Sequence, residues 1–410
     1  MTAFQPSDAV EAAEVVAWAT GEGQSLEIVA GGSKRGLGRP PRSDHRLDLS
    51  RLAGIVDYDP AELILTARAA TPMAEIEAEL EAKRQMLAFE PPDWRSLIDG
   101  DGEPTGEPTL GGVLACNLAG PRRVRAGAAR DYFLGFSAIN GWGEIWKAGG
   151  KVVKNVTGYD MCKVQAGAYG TLSVLTEVTL KVMPRPETAC TILLQGMADE
   201  IAMPELSQAL NTPYEVSAAA HLPASTARRS AVERLAEGRG AVTALRLEGP
   251  APSVAFRAKA IESLFGRGLR LDAAETGRLW AEIGQVRPLL PSGAVCVWRL
   301  CPTPTSALVV ANALRAQFAS AEVFYDWGGG LIWLSLEADE AGPDSGASRV
   351  RATMREAGGH STLVVAPDDV RAQVAVFEPL EGALASLMKR VKSGFDPRGV
   401  LNPGRMYEGQ

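Results

Sequence analysis

Apolar and polar positions follow two different rhythms on either side of residue 186. From residue 25 to about 182, short β-like runs alternate with glycine-rich turns. Residues 25–30 (SLEIVA) read as a strand running into Gly31 and Gly32, and residues 62–67 (ELILTA) as another. Thr71 and Pro72 then offer a cap and a first helical residue for a helix over residues 73–83. Residues 171–182 (TLSVLTEVTLKV) alternate as a half-buried strand does, and Pro184-Arg185-Pro186 closes the segment. Beyond it, helical stretches over 225–237, 252–265 and 305–318 alternate with strands over 241–247, 294–300 and 331–336. That pattern predicts helices packed on an antiparallel sheet. An amphipathic helix capped by Ser7 opens the chain, and a last helix from Leu384 leads into Leu401-Asn402-Pro403-Gly404.

Composition narrows the function classes. With 46% hydrophobic and 22% charged residues the chain has the make-up of a folded globular protein. A net charge of -7 argues against a nucleic-acid binder, which needs a basic face. No apolar run approaches the roughly 18 residues of a membrane helix. The N-terminus lacks a basic segment followed by an apolar block, so the expected location is the cytoplasm. Five cysteines, at 116, 162, 190, 296 and 301, are far apart and odd in number. They read as small buried residues rather than as a disulfide framework, zinc site or iron–sulfur cluster. Redox chemistry here has to come from a bound organic cofactor.

Three glycine-rich segments carry candidate chemistry. In Val29 to Gly38, Ala30-Gly31-Gly32-Ser33-Lys34-Arg35 follows a strand and can turn backbone amides towards a diphosphate. It is neither a Walker A loop nor a G-x-G-x-x-G fingerprint, and a plain surface loop has the same composition. The second is Thr109-Leu110-Gly111-Gly112, with Ala115, Asn117, Ala119 and Gly120 leaving room for a flat ring, followed by Arg130-Asp131. A turn with a tightly packed helix would look alike. In the third, Gly149 to Gly158, Lys154, Asn155 and Thr157 could serve the polar edge of an isoalloxazine ring, Lys154 as a cation where reduction develops negative charge, while a solvated Lys154 and an Asn155 that caps a turn would look alike.

In this order the segments resemble the FAD-binding domain of the vanillyl-alcohol oxidase flavoprotein superfamily, the PCMH-type fold. Residues 149–186 with Leu401-Asn402-Pro403-Gly404 are similar to its glycolate oxidase and D-lactate dehydrogenase branch. Phe89-Glu90-Pro91-Pro92, Leu118 to Arg123 and Trp327-Gly328-Gly329 resemble the E subunits of bacterial glycolate oxidases. The resemblance implies an α+β protein, with a PCMH-type FAD-binding domain of two subdomains over 1–186. An α+β cap with an antiparallel sheet would span 187–375, and a C-terminal segment over 376–410 would return to the flavin. It implies that residues 31–35 with Gly111 and Gly112 cradle the diphosphate, and that Pro72, Thr109 and Asn117 lie along the dinucleotide. Residues 149–158 would surround the flavin, the stretch from Val174 to Val178 would face the adenine, and Glu90 and Asn402 would join the site. Relatives with covalent flavin carry a histidine beside the first loop. Here Ser33 and Lys34 stand there, so the implied FAD is non-covalent. The implied partners are a larger FAD subunit and an iron–sulfur subunit that together oxidise glycolate, a small 2-hydroxy acid, and hand electrons to a membrane acceptor. Contact with the inner membrane would come through those partners.

Whether this chain turns over substrate is a separate question. Metal-using members of the branch supply a His-x-His pair and a Glu-His pair from the cap, whereas His45, His221 and His360 are isolated, so no metal site is expected. Arg299 could hold a carboxylate, with Tyr325 and Trp327 near the flavin. In the plainer reading, Trp298, Trp327 and Trp333 pack a sheet core while Arg299 pairs with an acid. Arg122, Arg123, Arg125 and Arg130 form a basic cluster whose default is a solvated helix face. Three functions stay open: an accessory FAD subunit, a self-sufficient FAD-dependent 2-hydroxy-acid dehydrogenase, and a structural subunit with a decayed flavin site.

Overall fold

The computed structural model describes residues 1–100, 105–151, 158–238, 240–290 and 295–409. A small parallel sheet near the N-terminus orders the strands Ala3–Phe4, His45–Asp48 and Leu26–Val29. Beside it, an antiparallel sheet of five strands runs Ile55–Asp59, Ile64–Arg68, Val174–Lys181, Phe133–Ile139, Ile145–Gly149. Its central strand is the one read from residues 171–182. The opening helix Ala9–Glu22 packs Ala12, Val16 and Ala19 against Leu26, Leu47 and Ile139. Its cap is Asp8 rather than Ser7: the Asp8 carboxylate accepts from the Val10 and Glu11 amides, while Ser7 donates to Glu11.

Residues 188–365 build an antiparallel sheet of eight strands. Its order is Leu269–Leu271, Thr188–Gln195, Val242–Gly249, Ala218–Leu222, Glu322–Asp326, Leu331–Glu337, Val295–Pro302, Gly359–Val365. Period-two alternation assigns its faces. Ala219, Trp298, Tyr325, Ile332 and Leu334 pack under the helices Asp199–Leu210, Ala251–Phe265, Ala307–Gln317 and Ala347–Ala357. Ala218, Ala220, Val297, Phe324 and Trp333 face the other way, into one core with Leu65, Ile76, Phe136 and Val178. Trp298 and Trp333 are thus sheet-core residues, and Trp333 meets Trp94 edge-on at 5.4 Å. The helix expected over 225–237 is two turns, Ala224–Ala227 and Glu233–Ala236. Between them Ser230 and the Ala231 amide turn inwards to the buried Glu282 carboxylate. Among the described residues no helix is long and apolar enough to cross a membrane.

Buried charge ties the eight-stranded sheet to the N-terminal half. Arg246 donates to both Glu90 oxygens at 2.8 Å, and Arg122 pairs with Glu248. Burial alone would raise the Glu248 carboxyl, but Arg246 and Arg122 outweigh it and hold the group below its ordinary value of 4.5. A carboxyl depressed by folding stabilises fully above that value and loses the contribution as pH falls through the folded one. Thermal stability is therefore expected to drop in acid below about pH 4.5, read as Tm against pH. Arg246→Ala, which leaves Glu90 and Glu248 to share Arg122 alone, should cost about 3–5 kcal/mol by denaturant unfolding. A loss under about 1 kcal/mol would mean that this cluster does not hold the two parts together.

Candidate functional site

Leu26–Val29 delivers Ala30 and Gly31 to the mouth of a cleft with an empty volume of about 920 Å³. Two positions there demand glycine. A Cβ on Gly31 would lie 2.0 Å from the Glu107 carbonyl oxygen, and Gly32 has φ of +81°. The carbonyls that follow are held by arginines from far along the chain. Arg405 donates to the oxygens of Lys34, Arg35 and Arg39, each at 2.9 Å, and Arg371 to those of Gly36 and Gly38 at 2.6 Å. Among the described residues the amides of Gly31, Gly32 and Lys34 find no acceptor, whereas the parallel bridge of Gly32 with Glu107 turns the Ser33 amide to the Glu107 carbonyl. Free amides on a glycine loop make an anion nest.

The facing wall is Thr109, Gly111, Gly112 and Ala115, from the short helix Leu110–Ala115 and its cap. The Gly111 amide donates to the Ala69 carbonyl at 2.7 Å, and a Cβ there would also lie 2.7 Å from that oxygen. Gln165, Tyr169, Gly170, Ser173 and Leu175 form a third wall. Asn402 joins two walls: its side-chain oxygen accepts from the Ile28 amide, and its nitrogen donates to the Tyr169 carbonyl. Behind it, Asp396 accepts from the Val400 and Leu401 amides, while Lys392 reaches Asp396 and the Thr171 carbonyl. Lys34 lies along Gly112, and among the described residues its ammonium finds only Ser33 Oγ, at 3.1 Å. Burial pushes that ammonium below its ordinary pKa despite nearby Cys116 and Asp93, as expected of a cation awaiting an anion.

A second cavity adjoins the cleft, with Cys116 and Tyr169 in both walls. Asn117, Arg123, Arg299, Cys301, Trp327 and His360 are among its lining residues. Burial pushes the Cys116 thiol up to about 11, so it stays protonated at neutral pH.

Sequence-named positions divide accordingly. Ala30, Gly31, Gly32, Ser33, Lys34, Arg35, Thr109, Gly111, Gly112, Ala115 and Asn402 come together in the cleft, and Asn117, Arg299 and Trp327 in the second cavity. The remaining described positions line neither cavity. Glu90 is held by Arg246 and the Arg122 amide. Pro72 bridges Thr109 through backbone, and Leu110 is buried in the core. Asp131 caps the Ala128 amide, and Arg130 is exposed. Val174 and Val178 are fully buried in their strand, which reaches the cleft through Ser173 and Leu175 instead. Gly149 packs on Leu134, and Gly158 is exposed. Tyr325 lies on the helix-covered face of the large sheet, donating to Asp199 beside His221 and Arg315. Arg299 finds no acid to pair with among the described residues, and Trp327 stands in the cavity wall instead of the sheet core. Lys154, Asn155 and Thr157 lie outside the described residues. Cys116, Gln165, Tyr169 and Arg405 are cleft residues that the sequence reading passed over. Only Arg405 had a signal, directly after Leu-Asn-Pro-Gly, and Arg123 likewise sat in the basic cluster read as solvated.

Comparison with known proteins agrees with this architecture. An FAD binding domain family matches residues 2–149. The fold is shared with solved structures. A 4-ethylphenol oxidase from Gulosibacter chungangensis superposes with TM-score 0.72 at 13% identity, covering 99% of this chain and 89% of that one. An alkyldihydroxyacetonephosphate synthase gives 0.69 at 15% identity, covering 98% and 76%. Glycolate oxidase subunit GlcD of Bacillus subtilis (strain 168) is 26% identical over 86% of this chain and 77% of its own. Glycolate oxidase subunit GlcE of Escherichia coli (strain K12) is 35% identical over 93% of this chain and 92% of its own. This protein is an FAD-dependent oxidoreductase subunit that belongs to the GlcE family.

Proposed function

We propose that this chain holds FAD non-covalently as one subunit of a glycolate-oxidising complex, together with a larger flavoprotein subunit and an iron–sulfur subunit. The observation that carries the reading is the glycine loop at the cleft mouth, where the Gly31, Gly32 and Lys34 amides have no acceptor among the described residues. Such amides suit the diphosphate of a dinucleotide, and half-buried Lys34 adds a positive charge. When bound, FAD supplies the two-electron acceptor that no side chain can. Gly111, Gly112 and Gly170 keep the walls close to the ligand, and Asn402 fixes their spacing. Among the described residues no histidine lines the cleft, and the Cys116 thiol is protonated, which supports a non-covalent cofactor. Electrons leaving the flavin would pass to the iron–sulfur partner, and that partner would bring this cytoplasmic subunit to the inner membrane.

Three outcomes test the proposal. Affinity capture of the native complex should return a larger flavoprotein and an iron–sulfur protein in fixed proportion; capture of this chain alone would remove the complex. Arg405→Ala frees three carbonyls and should weaken FAD binding about tenfold or more, by flavin-fluorescence titration. Gly32→Asp should weaken it about tenfold more than Gly32→Ala, because both carry the backbone strain but only one puts a carboxylate against the diphosphate. Equal affinities for the two variants would show that no phosphate sits at this loop.

A further inference from the structure

Three arginines lie close together after Gly120, and their fates differ. Arg122 pairs with Glu248 and Arg125 with Glu215. Arg123, between them, turns into the second cavity and has no acid partner among the described residues. Arg299 enters the same cavity from strand Val295–Pro302, also without a partner among the described residues. Both guanidiniums rest on one indole, 4.8 and 5.0 Å from the centre of the Trp327 ring. That ring is held firmly: its nitrogen donates to the Gly120 carbonyl at 3.1 Å, and its own amide donates to Asp326.

Two cations sharing a partly buried chamber repel each other. Burial, and then Arg299, pull the Arg123 guanidinium below its ordinary value. The nearest acids do little to offset this. Asp131 is engaged by the Ala128 amide, and burial pushes the Asp326 carboxyl up to about 7, so at neutral pH it is charged only in part. A chamber with two unpaired guanidinium forks is a preformed receptor for a carboxylate. Thr362 and His360 on the same wall add hydrogen-bonding groups, and Tyr169 and Cys116 connect the chamber to the cofactor cleft.

We infer that this chain has its own binding chamber for a small carboxylate anion, recognised by Arg123 and Arg299 across Trp327. The inference deepens the proposed function and rests on it for the place of the anion beside the flavin. Calorimetric titration of the FAD-loaded chain with oxalate and with glycolate should show binding of both, and glycolamide, the neutral counterpart of glycolate, should bind about tenfold more weakly or worse. Arg123→Gln and Arg299→Gln should each weaken oxalate about tenfold, and the double variant should abolish its binding, with FAD uptake and Tm unchanged. Absence of binding by the unmodified chain at millimolar oxalate would overturn the inference, as would full affinity in the double variant or equal affinity for glycolamide. FAD uptake is read separately from visible absorbance. If it fails, the cofactor reading falls, while the same anion titration still judges the arginines. If a glutamine variant does not fold, oxalate against glycolamide on the unmodified chain decides.

Discussion

A peptide loop offers donors and acceptors in equal number, so it can present a donor surface only if something else takes the acceptors. In this protein two guanidiniums do so. Arg405 and Arg371 together bind five carbonyl oxygens between Lys34 and Arg39. That capture fixes the course of the chain beyond Lys34, and the glycines before it leave the Gly31, Gly32 and Lys34 amides without an acceptor among the described residues. Arg371 belongs to the helix Asp368–Gln373 that follows the large sheet, and Arg405 to the C-terminal segment. The path of the first loop beyond Lys34 is therefore held by residues more than three hundred positions away.

Arginine in this molecule serves two opposite ends. Arg122 and Arg246 are saturated by Glu90 and Glu248, and their arrangement fixes how the eight-stranded sheet sits on the N-terminal half. Arg123 and Arg299 are left without such partners among the described residues and share only an indole face. A salt bridge of the first sort is indifferent to ligands. An unpaired guanidinium in a chamber keeps its full capacity for an anion, and its repulsion with its neighbour is relieved only when one arrives.

Much of this was legible in the sequence because it is local. Alternation in residues 171–182 located the central strand Val174–Lys181, and the glycines of the first two loops marked where backbones approach within touching distance. The helix misread over 225–237 has a non-local cause, and the misplaced first cap a local one. Residues 225–237 have helical composition, but Glu282 draws Ser230 and Ala231 inwards and splits the helix. Asp8 and Ser7 are both good caps, and the Ser7–Glu11 contact decides between them. Glu90 sits in a telling motif, and its partner Arg246, 156 residues on, leaves no local trace beside it. Periodicity speaks of faces, and it is silent about which distant side chain a face will meet.

The stitching of Leu401 beside Leu26, with Asn402 spanning Ile28 and Tyr169, has a consequence for biosynthesis. The strands that flank the first loop are made early on the ribosome, but the residues that hold them in their working arrangement are made last. A nascent chain that has emerged only as far as the five-stranded sheet has the glycines without Asn402 or Arg405. Cofactor capture is thereby postponed until translation is nearly over, and the closing contacts are among the most sequence-distant in the molecule, the kind whose loop entropy slows folding.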